Sequence, residues 1–317
     1  MDLLVRVEAI CSQDLSDRLL RERLIALLAG RLPFDGHVFA LTDPVTGVGS
    51  SPHATVPMLP WDELPDLLRH RYLHFADDRP AWHAWLAHLG VTDTLFVDFA
   101  DRYGRWGFLE LWRAGGAYDA RDLALLERLA PAINHGLRSA AARTFRAGED
   151  GLAQVEPGVV VLDPDLRVRG QTDSAAAALL RLLPPDEPMP PIPAAAYNAG
   201  AALVAVEAGR WSTEPSARVH LGGNRWVTVR AARLGDDIAV AIAPSTVDER
   251  TDLFARVHGL SPRETEVLGL AVHGLDSREI ADLLVIARTT AEDHLKALLA
   301  KTGAPSRQVL VARALGA

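Results

Sequence analysis

Two helix-start signals near the carboxyl end constrain this chain more than any other feature. Ser261-Pro262-Arg263-Glu264 sets a serine three residues before a glutamate with proline at the first helical position, and Asp276-Ser277-Arg278-Glu279 repeats the device with aspartate as the cap. In such a box each side chain satisfies a backbone N–H that the helix itself leaves free, so each box marks a helix start. The first helix is expected to run to about His273 and to stop at Gly274, and the second holds Ile280, Ala281 and Leu284. After Val285-Ile286, a third helix from Arg288 to about Lys301 puts Ala291, Leu295 and Leu298 at i, i+4 and i+7, with Gly303 as its stop. A fourth, Arg307–Leu315, follows Pro305-Ser306. Four short helices with the middle pair joined by a tight turn describe an all-α, four-helix helix-turn-helix domain, placed at 252–317.

The rest of the chain reads differently. Its 317 residues exceed what one ordinary domain uses, and 49% apolar with 23% charged residues is a globular composition. Up to about Phe145, helical spacing in Leu15–Leu28 is followed by two short strands, His37–Leu41 and Val45–Ser50, around the turn signal Asp43-Pro44-Val45-Thr46-Gly47. Helices over Trp61–His74 and Pro80–Leu89 precede a second hairpin, Thr94–Phe99 with Arg105–Trp112. The closing helix, Ala120–Phe145, carries Leu123, Leu126, Ala130, Ile133, Leu137, Ala140 and Thr144 at intervals of three and four. That stripe is either a dimer seam or a face packed on its own sheet, and Pro131 argues against a straight coiled coil. A second part opens with the strand Gly158–Leu162, the turn Asp163-Pro164-Asp165 and the strand Leu166–Arg169, and closes with Trp226–Ala231 and Ile238–Ala243. Six prolines within Pro184–Pro193 read as a surface loop. Two α+β domains, at 1–147 and 150–246, therefore precede the helical one, and the protein is multidomain.

The carboxyl-terminal residues Leu260-Ser261-Pro262-Arg263-Glu264, Glu266-Val267-Leu268, Glu279-Ile280-Ala281, Thr290, His294-Leu295-Lys296, Lys301-Thr302-Gly303 and Ser306-Arg307 resemble the DNA-binding domain of LuxR/GerE-type transcriptional regulators. The resemblance covers about a fifth of the chain and extends across all four helices. It implies that the Arg288–Lys301 helix enters the major groove of double-stranded DNA, with Arg288 at its start. It implies base reading by Glu292, Asp293 and Lys296. Phosphate contacts would fall to Thr289, Thr290, Lys301 and Arg307, and to the amino end of the second helix near Ser277 and Arg278. Three positions depart from the family's usual pattern. Ala287 replaces a serine cap, Ala291 replaces valine, and Glu292 stands where many members are basic. A carboxylate facing a base edge accepts from the cytosine amino group, so a cytosine-containing site bound weakly, with shallow salt dependence, is expected.

Net charge agrees with weak binding. The whole chain stands at −8, but the segment after Phe254 has eight Arg/Lys against seven Asp/Glu, and it holds both lysines, Lys296 and Lys301. The first two domains resemble GAF-like and PAS-like modules. That resemblance rests on the Asp43–Gly47 hairpin, the long closing helix, Gly158-Val159-Val160-Val161-Leu162-Asp163-Pro164-Asp165 and the final antiparallel pair. It implies sensory or dimerising roles, a homodimer, and an unidentified small-molecule effector, with RNA polymerase as a further partner. Five of seven tryptophans (Trp61, Trp82, Trp85, Trp106, Trp112) lie in the first domain; they line a ligand cavity or, more commonly, build a core. His70 and His74 stand one turn apart without a carboxylate at motif spacing, so neither a metal nor a cofactor is expected.

Other classes fare worse. No phosphate-binding loop, dinucleotide fingerprint or nucleophile elbow occurs, so an enzyme is not expected. Cys11 is the only cysteine, which excludes an internal disulfide. No apolar run approaches the ~20 residues that span a bilayer, and no secretion signal opens the chain, so a cytoplasmic protein is expected. The alternative is a non-DNA-binding protein that titrates another regulator through its acidic front half.

Overall fold

The computed structural model describes residues 2–75, 78–146, 155–181 and 194–316. Helices α1 (Leu3–Cys11) and α2 (Asp17–Ala29) lead into β1 (Gly36–Thr42) and β2 (Gly49–Thr55). After a short 3-10 turn come α3 (Leu64–His74), α4 (Arg79–His88), β3 (Asp93–Asp101), β4 (Gly104–Arg113) and α5 (Ala120–Arg143). The four strands form one antiparallel sheet in the order β2-β1-β4-β3. Strand alternation sorts its residues. Phe39, Leu109 and Leu111 join the core beneath α1, α2 and α5, whereas Val38, Ala40, Phe108 and Trp112 face the Leu67, Trp82 and Leu86 side chains of α3 and α4.

The second strand begins later than Val45 because Asp43 Oδ1 accepts from the backbone N–H groups of Val45 (2.8 Å) and Thr46 (3.1 Å), which holds those residues in the turn. The stripe on α5 is settled by burial. Leu126, Ile133, Leu137 and Ala140 are all within the chain's own core, against α1 and the sheet. The stripe is therefore not a free dimer seam. Gly136 makes the α1–α5 approach possible: a Cβ there would stand 2.8 Å from Cys11 Sγ. Trp82, Trp106 and Trp112 are core residues, while Trp61 is exposed.

The second region contains β5 (Gly158–Leu162), β6 (Val168–Gln171), α6 (Asp173–Leu180), α7 (Ala194–Glu207), β7 (Ser216–His220), β8 (Trp226–Leu234) and β9 (Asp237–Pro244). Its antiparallel sheet has the order β6-β5-β9-β8-β7. Leu166 belongs to the turn rather than to β6, since its φ is 62° and Asp163 Oδ1 accepts from the N–H groups of Asp165 (2.9 Å) and Arg167 (2.8 Å). α7 is built almost wholly of small apolar residues and is buried on nearly every side, between this sheet and α3 of the front region. The proline run 184–193 lies outside the described residues.

Five helices close the chain: α8 (Val247–Val257), α9 (Pro262–Val272), α10 (Ser277–Leu284), α11 (Arg288–Thr302) and α12 (Arg307–Leu315). α8 joins the helical domain to the front. It packs on α5, α9 and α12, and Phe254 meets Phe145 edge-on at 5.3 Å while Phe145 stacks on Trp226 at 5.6 Å. Among the described residues, no helix is long and apolar enough to cross a membrane.

Candidate nucleic-acid interface

Local chemistry explains each helix boundary. Ser261 Oγ accepts from Glu264 N at 3.3 Å while the Glu264 carboxylate accepts from Ser261 N at 2.6 Å. At α10, Asp276 Oδ1 accepts from Arg278 N (2.8 Å) and Glu279 N (2.9 Å), and Glu279 Oε2 accepts from Asp276 N (2.7 Å). Burial opposes ionisation of Glu264, but hydrogen bonds from Lys301 and Ser261 outweigh it and hold the carboxyl below its ordinary range. The turn after α10 is made by Val285 in the left-handed region, at φ 53° and ψ 52°. There Ile286 N reaches Ala281 O at 3.0 Å, and Arg263 Nη2 donates to Leu284 O at 2.8 Å, tying α9 to the end of α10. Ala287 caps α11 without a side-chain bond.

This frame divides α11 into two faces. Ala291, Leu295, Leu298 and Thr302 are buried against α9, α10 and α12. Arg288, Thr289, Thr290, Asp293 and Lys296 are exposed, and Glu292 is partly so. The Lys296 side chain is 75% exposed, so it points away from the bundle. Ser277 and Arg278 open α10 on the surface as well, Arg278 exposed and Ser277 partly covered.

The charges on the exposed face cancel in pairs. Arg288 Nε lies 2.9 Å from Glu292 Oε1, and Lys296 Nζ lies 3.1 Å from Asp293 Oδ1. Lys301 is exposed, yet its Nζ lies 2.7 Å from the buried Glu264 Oε2, and Arg307 Nη2 donates to Leu275 O. These last two side chains brace the helices that carry the exposed face. Of the ten sequence-expected residues, then, nine lie on α11 or the start of α10 and are exposed or partly so; Lys301, at the far end of α11, also pairs with Glu264 of α9, and Arg307 of α12 reaches the loop before α10.

What the sequence reading missed is the clamp behind the domain. Thr246-Val247-Asp248-Glu249 is also a capping box, like Asp119–Asp122 at α5, and it starts α8. The partners of α8 carry no such local pattern. Arg218 of β7, nearly buried, pairs with the buried Asp43 of the first hairpin (2.6 Å) and with Asp252 of α8 (2.7 Å). Arg250 donates to Asn224 Oδ1 (2.8 Å) and to Ala314 O (3.2 Å); burial lowers its pKa to about 10. At the tip of the second front hairpin, Tyr103 donates to Gly259 O (3.1 Å) and its carbonyl accepts from Arg256 (2.8 Å).

A bundle in which one short helix shows a polar face beside the tight turn that precedes it is the helix-turn-helix class of domain. More particularly, residues 258–314 match the family described as bacterial regulatory proteins, luxR family (GerE), and the carboxyl-terminal domain is of that family. Curated relatives are similar over part of the chain. The transcriptional regulatory protein FixJ of Rhizobium meliloti (strain 1021) is 38% identical over 89 residues, which are 28% of this chain and 43% of FixJ. The transcriptional regulatory protein MctR of Rhizobium johnstonii is 45% identical over 56 residues, 18% of this chain and 26% of MctR. The chain thus spans less than half the length of the curated relatives it matches. Among solved structures, Escherichia coli SdiA matches at 14% identity and a TM-score of 0.35, over 99% of this chain and 96% of SdiA. SdiA in complex with octanoyl-rac-glycerol matches at 14% and 0.34, over 99% of this chain and 93% of that one.

Proposed function

We propose that the chain is a one-component, DNA-binding transcriptional regulator whose α11 reads a major-groove half-site. The observation that carries the reading is the exposed polar face of α11, with Arg288, Asp293 and Lys296 well exposed on a helix whose other face is locked into a luxR-family bundle. Glu292, Asp293 and Lys296 face the bases. Arg288, Thr289, Thr290 and the α10 start at Ser277 and Arg278 approach the backbone, while Lys301 and Arg307 exchange part of their present contacts for phosphate. The front regions, at 1–147 and 150–246, act as GAF-like and PAS-like sensory and dimerising domains ahead of the reader at 252–317. Two sheets packed with helices and coupled to α8 support that division. Two copies would set their α11 helices on half-sites one DNA turn apart, under control of a small effector, with RNA polymerase the downstream partner.

The paired charges on α11 favour a second reading, a protein that titrates another regulator without touching DNA. A gel-shift titration of the full chain on its own upstream DNA, repeated across salt, separates them. The regulator reading expects specific binding whose salt slope is shallow, because the cations on the face must first leave Glu292 and Asp293, and it expects Lys296→Ala to weaken binding by about 1–3 kcal/mol. Binding that is absent, or indifferent to Lys296→Ala, refutes it.

A further inference from the structure

Where α3 and β4 of the front region meet α7 and the loop after it, a cavity of about 150 Å³ is walled by Arg71, Arg79, Arg105, Phe75, Phe108 and Trp211. Three arginines in so small a space need counter-charge. Arg71 Nη1 has Glu110 Oε2 at 2.8 Å, and Arg105 Nε has Asp98 Oδ1 at 2.6 Å. Arg79 has no carboxylate partner among the described residues; its guanidinium rests over the Phe75 ring, 4.1 Å from the centroid. Among the described residues, two carboxylates face the three guanidinium groups. Burial of the guanidinium side, reinforced by Arg71, lowers the pKa of Arg79 despite the opposing pull of Glu110, while the residue as a whole stays exposed to solvent.

The apolar walls indicate the body of the missing partner. Arg71 is stacked on Phe108 at 4.1 Å, and Trp211 meets Tyr72 edge-on at 5.0 Å. The Trp211 indole N–H is buried and meets no acceptor among the described residues. The wall is held rigidly: Tyr72 donates to Asn198 Oδ1 at 3.0 Å and accepts from Gly49 N at 2.9 Å. A space of about 150 Å³ accommodates one benzene-sized ring.

We propose that this cavity binds a small aromatic monocarboxylate, its carboxylate taken by Arg79 and Arg105 and its ring set between Phe75, Phe108 and Trp211. The bound molecule bridges the two sheet regions and is the effector of the regulator proposed above. In that role it rests on the regulator reading. The binding itself does not, and it is tested without DNA so that the two can fail separately.

The probe is benzoate, titrated calorimetrically into the full chain, with benzamide as the uncharged isostere and inorganic phosphate as the ringless anion. Expected are saturable benzoate binding, at least tenfold weaker binding of both controls, and a loss of about tenfold or more in Arg79→Gln, partly restored in Arg79→Lys. Arg105→Gln should weaken benzoate likewise. The proposal is overturned by no benzoate binding up to about 10 mM, by benzamide or phosphate binding as well as benzoate, or by benzoate affinity that both glutamine variants leave unchanged.

Discussion

Val285 is the residue on which the geometry between α10 and α11 turns, and replacing it with glycine should make that geometry more stable. A valine at φ 53° and ψ 52° sets its Cβ against the following carbonyl, at about 1–2 kcal/mol for an L-residue. A β-branched side chain belongs at the upper end of that range. Truncation loses almost no packing, because Val285 is 89% exposed. Against the relief stands the greater freedom of glycine in the unfolded chain, about 0.4–1 kcal/mol. The balance is about 1–1.6 kcal/mol in favour of Val285→Gly, which corresponds to a roughly five- to fifteenfold slowing of amide exchange. The assay is native-state hydrogen exchange of the full chain, read at the α10 and α11 amides, with Val285→Ala as the control that keeps a Cβ. Exchange at those amides that accelerates in the glycine variant, or slows equally in the alanine variant, would refute the reasoning.

Two further outcomes follow from the buried charges and histidines. Arg218→Ala strands the Asp43 carboxylate, 2% exposed, beneath three structural regions, so denaturant unfolding should show a loss of about 3–5 kcal/mol, and Asp43→Asn in the same background should recover part of it. Acid should destabilise the protein before its carboxylates titrate. His37 and His258 are both held near pKa 4 chiefly by burial, below an unfolded value of about 6.5, so the unfolded state binds more protons in that window. Stability is then intact above pH ~6.5 and falls toward pH 4, by up to about 1.4 kcal/mol per pH unit for each histidine. The Asp43 contribution behaves otherwise: burial raises its pKa, hydrogen bonds from Arg218 more than offset this, and the group is lost only below its unfolded value of about 3.9. Melting curves at pH 7, 5.5 and 4.5 test this, and flat stability over that range contradicts it.

Legibility differed along the chain for physical reasons. In the carboxyl-terminal domain, caps, stops and apolar spacing are local, and each of α9 to α12 lies within a residue or two of its expected span. Most strands of the two sheets were visible as apolar runs, but β7 (Ser216–His220) was not anticipated, and edges moved where an aspartate bonded the backbone, at Asp43 and Asp163. α7 was not anticipated: a run of alanines has no amphipathic stripe, and only burial between two sheets makes it a structural helix. For the interface, residue types and the helix were readable, whereas the pairing of Lys301 with Glu264 was not.

By itself the sequence determined where the last four helices start and stop, and so that Lys296 and its neighbours share one polar face, because capping and periodicity act over three or four residues. Tertiary structure alone decided that the α5 stripe is core rather than seam, that Arg218 joins Asp43 to Asp252, and that Arg71, Arg79 and Arg105 surround one cavity. Such contacts join residues far apart in the chain. They depend on the packing of whole elements, which no local pattern encodes.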